Sequence, residues 1–158
     1  MLVEMMKYTQ VADVRVIAVF GQNAIISAKA ISLFSHVLNA QHIWANRILD
    51  RPSLYGVWQE HSPEAFSSIS IGNMECFQYI LENIDLSKQI TYRNSTGGTF
   101  TNVVKDVLIH VFNHSTYHRG QVASLFKADG ILPPVTDYIM QQPRNTLSKF
   151  GANTIRMH

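Results

Sequence analysis

The sequence predicts an all-α protein: a bundle of four main helices with a short extended or β-hairpin insert near residues 89–101. Three observations carry that expectation. From about Ser27 to Leu49 no proline or glycine appears, and apolar residues recur at three- and four-residue steps, the period of a helix with a buried face. A second long helical stretch, from about Asn102 to Ala128, is closed by Asp129-Gly130 and followed by Pro133-Pro134, both stop signals. Between them, Gln89-Ile90-Thr91-Tyr92 and Thr99-Phe100-Thr101 flank Arg93-Asn94-Ser95-Thr96-Gly97-Gly98, the alternation and turn chemistry of a hairpin.

Residues 4–19 place Met5, Tyr8, Val11, Ala12, Val16 and Val19 at helical spacing. The chain therefore opens with a helix that ends before Gly21, and Gly21-Gln22-Asn23 reads as a connector. In the second segment one stripe is Leu33, His36, Ala40, Trp44, and another is Phe34, Val37 or Leu38, Ala45, Leu49. So wide an apolar face suits a helix packed inside a bundle. Ser27 is its expected N-cap, and Asp50-Arg51-Pro52 its end, since proline disfavours a helical residue before it. The short connector makes the first two helices expected antiparallel neighbours. Residues 51–62 read as a loop. Ser62-Pro63-Glu64 has the N-cap, first-position proline and first-turn acid of a helix start. A break is expected near Ser70–Gly72, and a third helix from Asn73 to Ile84 with Met74, Phe77, Ile80 and Leu81 inward. Thr101 is the expected N-cap of the fourth helix. Asp137 caps one last short helix, and residues beyond Pro143 read as a loose tail, so a single domain is expected over 1–142 and a tail over 143–158. No internal repeat or low-complexity segment is visible.

At 158 residues the chain can bury a sizeable core in one domain. The hydrophobic fraction is 46% and the charged fraction 15%, values of a globular protein. Net charge is +2 and the basic residues are scattered from Lys7 to Arg156, a pattern that argues against a nucleic-acid partner. A single cysteine, Cys76, excludes an intrachain disulfide and a cysteine-rich zinc site. The first residues lack a basic segment followed by an apolar one, and no apolar run approaches membrane-spanning length. The expectation is a soluble cytoplasmic protein with no membrane attachment. Phe34, Trp44, Phe77, Phe112 and Phe126 are expected in the core.

Chemistry enters with the histidines. Residues 110–121 read His-Val-Phe-Asn-His-Ser-Thr-Tyr-His-Arg-Gly-Gln, which sets His110, His114 and His118 at four-residue intervals. Residues four apart on a helix lie about 40° from alignment, one turn above each other, and histidine is the commonest metal ligand. His110 and His118 are separated by about 12 Å along the axis. Two metal–nitrogen bonds of about 2 Å do not span that gap, so one ion takes one adjacent pair, with either pair open. A further ligand must come from a facing helix. His36 interrupts an apolar stripe and points inward, where an unpartnered imidazole would be costly. It is either that ligand or a hydrogen-bonded core residue. His42 lies about 120° away round the helix and reads as peripheral, while His61 and His158 fall in a loop and at the terminus.

Residues 110–121 closely resemble the signature of the DinB (damage-inducible) family within the DinB/YfiT-like superfamily. His36-Val-Leu-Asn-Ala-Gln-His-Ile-Trp44 resembles the family's second-helix motif, and Tyr8-Thr-Gln-Val-Ala-Asp-Val-Arg15 its opening segment. The likeness runs from about residue 5 to 140. Val11 stands where the opening motif often has tryptophan, and Gln41 where the second-helix motif often carries an acid. The resemblance implies a four-helix bundle, commonly a homodimer, with a three-histidine site for nickel or zinc. Carried over by motif, the ligands are His36, His114 and His118, and His110 becomes a flanking residue. Asn113 and Gln121 are then candidates to orient the imidazoles or bound water. Two roles stay open for Arg119: a hold on a cosubstrate carboxylate, or a solvent-facing or dimer-interface position. Gly120 costs roughly 1 kcal/mol against alanine in mid-helix, and close helix approach is the expected reason for it.

No catalytic residue is assigned from the sequence. The superfamily is similar to metal-dependent S-transferases that use low-molecular-weight thiols, and some members resemble hydrolases. The leading expectation is therefore a metal-dependent thiol transferase in detoxification or stress response, with a small thiol or other small molecule as partner. The alternatives are a metal-dependent hydrolase and a dimeric bundle that binds metal or a small ligand without turnover.

Overall fold

Four helices and one hairpin carry the chain in a computed structural model that describes residues 1–141; the expected tail, 143–158, lies outside the described residues. Helix α1 spans Leu2–Gln22 and α2 Ala28–Ile48; a 3₁₀ turn at Pro63–Ala65 leads into α3, Phe66–Asn83. Strands β1, Gln89–Arg93, and β2, Thr99–Val103, form the expected hairpin, and α4, Val104–Ala128, follows without a break. A second 3₁₀ turn covers Tyr138–Gln141, preceded by Asp137, whose carbonyl accepts from the Met140 amide.

Local chemistry explains most boundaries. Ser27 caps α2, its hydroxyl accepting from the Ala30 amide at 3.4 Å, which satisfies one of the donors a helix start leaves unpaired. At the far end of α4, Gly130 adopts φ 76°. Its amide donates to the Lys127 carbonyl and that of Ile131 to the Phe126 carbonyl, the paired bonds of a glycine-closed helix.

Three expectations about helix limits need correction. Helix α1 continues through Gly21 to Gln22, and Asn23 stops it with a side-chain amide on the Val19 carbonyl at 2.8 Å. The break at Ser70–Gly72 does not form. Ile69, Ser70, Asn73 and Met74 are all buried, and their packing outweighs the roughly 1 kcal/mol that a mid-helix glycine costs. Thr101 does not cap α4; it lies in β2, hydroxyl to hydroxyl with Thr91 at 2.9 Å. The opening amides of α4 are met instead by backbone, Val104 donating to the Lys88 carbonyl and Lys105 to that of Leu86, each at 2.9 Å.

The bundle order also differs from expectation. Helix α1 packs chiefly on α3 and α4, as does α2, so α1 and α2 sit across a diagonal. They still run in opposite directions, since Phe20 lies 5.6 Å from Phe34 and Asp13 bonds Gln41. The connector at residues 23–27 reaches up to about 3.3–3.6 Å per residue, enough to cross the end of the bundle. Helix α3 runs parallel to α2, with Phe34 against Phe66 and Gln41 against Asn73. The chain therefore returns along α2 through residues 49–62. That loop is laid on the same helix that carries His36.

Two apolar clusters fill the interior. One contains Phe77, Phe112, Leu108 and Ile80, the other Phe34, Phe66, Phe126 and Phe20. A buried polar layer lies between them, with Asp13 from α1, Gln41 from α2, Asn73 from α3, and Ser115 and Arg119 from α4.

Candidate metal centre

The polar layer sets how α4 is turned. Arg119 donates through Nη1 to Asp13 at 2.8 Å, both groups fully enclosed. The Gln41 amide donates to Asp13 at 2.8 Å and to Ser115 Oγ at 3.1 Å, and accepts from Asn73 at 3.2 Å. Burial pushes the Asp13 carboxyl up, against the pull of Arg119 and the Gln41 amide. Ser115 and Arg119 stand four residues apart and face the bundle interior. His114 and His118 precede each by one residue, so they stand about 100° round the helix, turned toward α2.

There they meet His36. Nε2 of His36 lies 3.2 Å from Nε2 of His114, and the ring centroids are 5.0 Å for His36–His114, 4.9 Å for His36–His118 and 4.4 Å for His114–His118. One nitrogen from each ring falls within 4.8 Å of the others. Nδ1 of His36 donates to the Val57 carbonyl at 3.1 Å. A carbonyl only accepts, so that proton sits on Nδ1 and leaves the Nε2 lone pair facing the cluster. Nδ1 of His118 likewise faces Gln121 Oε1 at 2.7 Å. The Trp58 indole stacks on His36 at 4.0 Å and 11° between planes, its outer face exposed.

The electrostatics favour the neutral form of His114 and His36. Burial is the largest cause holding His114 down to about 4, followed by the positive charge His118, His36 and His110 would carry. Burial also lowers His36, opposed by its bond to Val57. Neutral imidazoles are the metal-binding form. Tetrahedral ligands at about 2.0–2.1 Å from an ion stand roughly 3.3 Å apart, close to the observed 3.2 Å between His36 and His114. The three residues fit a divalent ion.

The flanking residues divide. Gln121 touches His118. His110 is a neighbour, its ring 5.8 Å from His114 and 5.3 Å from Trp44. Asn113 is exposed and faces the other side of α4, lining a cavity with Met5, Tyr8 and Thr116. Arg119 is 3% exposed and committed to Asp13, so it offers its charge neither to solvent nor to a cosubstrate. Gly120 has nothing within 4 Å of where a Cβ would be, so close helix approach does not explain it.

Sequence reasoning passed over several participants. Val57 acts through its carbonyl, which carries no side-chain signal, and Trp58 is one aromatic residue in an irregular loop. Asp13 had a signal: a charged residue on the buried stripe of α1, between Thr9, Ala12 and Val16. His42 is not peripheral to the loop, since its Nε2 accepts from the Leu54 amide at 3.0 Å and helps hold residues 49–62 on α2.

The family model described as DinB family matches residues 27–146. The curated Protein DinB of Bacillus subtilis (strain 168) is 32% identical over 60 residues, which is 38% of this chain and 35% of that protein. The match thus spans about a third of that relative's length. No solved structure matches the chain.

Proposed function

The chain belongs to the DinB family, and from that premise we propose that it is a metal-dependent enzyme whose ion, nickel or zinc, is held by His36, His114 and His118. The convergence of three imidazoles carries this reading, with the outer nitrogens of His36 and His118 engaged elsewhere. Three protein ligands leave a coordination position open, the arrangement of catalytic rather than closed structural sites. When bound, such an ion supplies Lewis acidity and favours the ionised form of a thiol or water.

Among the described residues no carboxylate joins the three histidines, and Asp13 beneath them is committed to Arg119 and Gln41. A reaction whose nucleophile needs no protein base suits such a site, which favours transfer to a low-molecular-weight thiol over hydrolysis. The exposed face of Trp58 beside His36 offers a flat apolar surface for the electrophile. The family resemblance is what supports a homodimer and a setting in detoxification or stress response. The same lack of a free carboxylate favours a second reading, a bundle that binds metal or a small ligand without turnover.

Metal analysis of the purified protein, followed by a thiol-conjugation assay with and without chelator, separates the two. The expected result is stoichiometric metal, lost in His114→Ala, and a conjugation rate abolished by chelator. Metal without turnover selects the second reading. A metal-free protein whose His114→Ala variant behaves identically sinks both.

A further inference from the structure

A cavity of about 460 Å³ opens on the α2–α3 side of the bundle, under the root of loop 49–62 and away from the three histidines. Its size is that of a small-molecule site. Tyr55, Ile69 and the exposed Leu54 contribute apolar lining, and Asn46, Arg51 and Cys76 contribute polar groups. A second cleft of about 400 Å³ adjoins it and shares Arg51, Gly72 and Cys76.

Two observations say what it takes. The first is charge. Among the described residues Arg51 forms no salt bridge; the ion pairs are Met1–Glu4 and Arg119–Asp13. Its guanidinium donates through Nη2 to Cys76 Sγ at 3.3 Å, and no acid lines the larger cavity. Glu75 lines the adjoining cleft without pairing with it. A planar guanidinium with donors to spare matches a carboxylate. The second is the glycine that should have broken α3. Gly72 sits in mid-helix on the cavity wall, and a Cβ there would meet nothing within 4 Å. The helix tolerates its least favourable ordinary residue where any side chain would intrude on this space.

We propose that this cavity binds a small amphipathic carboxylate, its apolar body against Leu54, Tyr55 and Ile69 and its head on Arg51. The site is separate from the histidine centre and does not depend on metal.

Cys76, the chain's single cysteine, reports occupancy without ambiguity. The full-length protein is labelled with iodoacetamide, the rate read by intact mass, against increasing 3-phenylpropionate or its neutral counterpart 3-phenylpropanol. The expected result is saturable protection by the acid, with the alcohol roughly tenfold weaker or worse, as loss of one charge-assisted hydrogen bond brings. Arg51→Gln should remove the acid's advantage. Gly72→Leu should abolish protection while the melting temperature holds or rises, because leucine is the better helix former. Equal protection by acid and alcohol, or an advantage of acid over alcohol that survives Arg51→Gln, overturns the carboxylate assignment. Absence of protection in the wild type overturns the site. Repeating the titration in His114→Ala keeps the outcome independent of the metal reading.

Discussion

His114 stands at the centre of the cluster, and its environment has measurable consequences. Its pKa is held to about 4 by burial and by its histidine neighbours, against an ordinary 6.5. As pH falls from about 6.5 to about 4, the unfolded chain takes up a proton that the folded chain resists, so stability declines across that window and is level above it. His36, also lowered, adds in the same direction. The melting temperature of metal-free protein should therefore be lower near pH 5 than near pH 7.5, and a flat profile would contradict this account. Metal binding should discriminate the neighbours. His114→Ala should abolish it, whereas His110→Ala, whose ring lies beside His114 and outside the set of three, should leave it nearly intact. Gln121→Leu removes the acceptor at His118 Nδ1 and should weaken metal affinity about 10–100-fold, as titration calorimetry would report. Of these residues, the four-residue spacing disclosed His114 and His118, because helix periodicity is local. That His36 groups with His114 and His118 and not with His110 is a matter of three dimensions that the spacing alone left open.

At the scale of elements, α4 is the part on which the site turns. Its inner face is pinned by Arg119 and Ser115 through Asp13 and Gln41, and this sets the direction in which His114 and His118 point. Asp13→Ala leaves a buried guanidinium without its partner and should cost about 3–5 kcal/mol in denaturant unfolding. Replacing both partners, Asp13→Leu with Arg119→Met, should recover most of that loss, since well-packed apolar pairs often match a buried ion pair. If the double variant is no better than the single one, the layer holds the fold by more than its charge pair. Helix α3 shows why its continuity was not legible in advance. Gly72 looks like a stop in a string of residues, but Ile69, Asn73 and Met74 are buried on either side of it, and burial is a property of neighbours not yet in view.

For the whole molecule, the site joins three separate parts of the chain: α2, α4 and the loop that returns along α2. An ion that binds only this assembled arrangement must stabilise the entire fold. At a free concentration a hundred times its dissociation constant it should add about 2.7 kcal/mol, seen as a rise in melting temperature that chelator reverses and His36→Ala removes. The sequence by itself determined the class of fold, the four helices, the hairpin and the three histidines. Apolar period, caps and turn residues act between positions a few residues apart, and the family motif drew together His36, His114 and His118, the three that the structure brings within 4.8 Å of one another. Only the tertiary structure decided that α1 and α2 lie on a diagonal, that Arg119 is spent on Asp13, and that Val57 and Trp58 attend His36. Those pairings join residues from 21 to 106 positions apart, and they depend on which faces pack together, which no local pattern encodes.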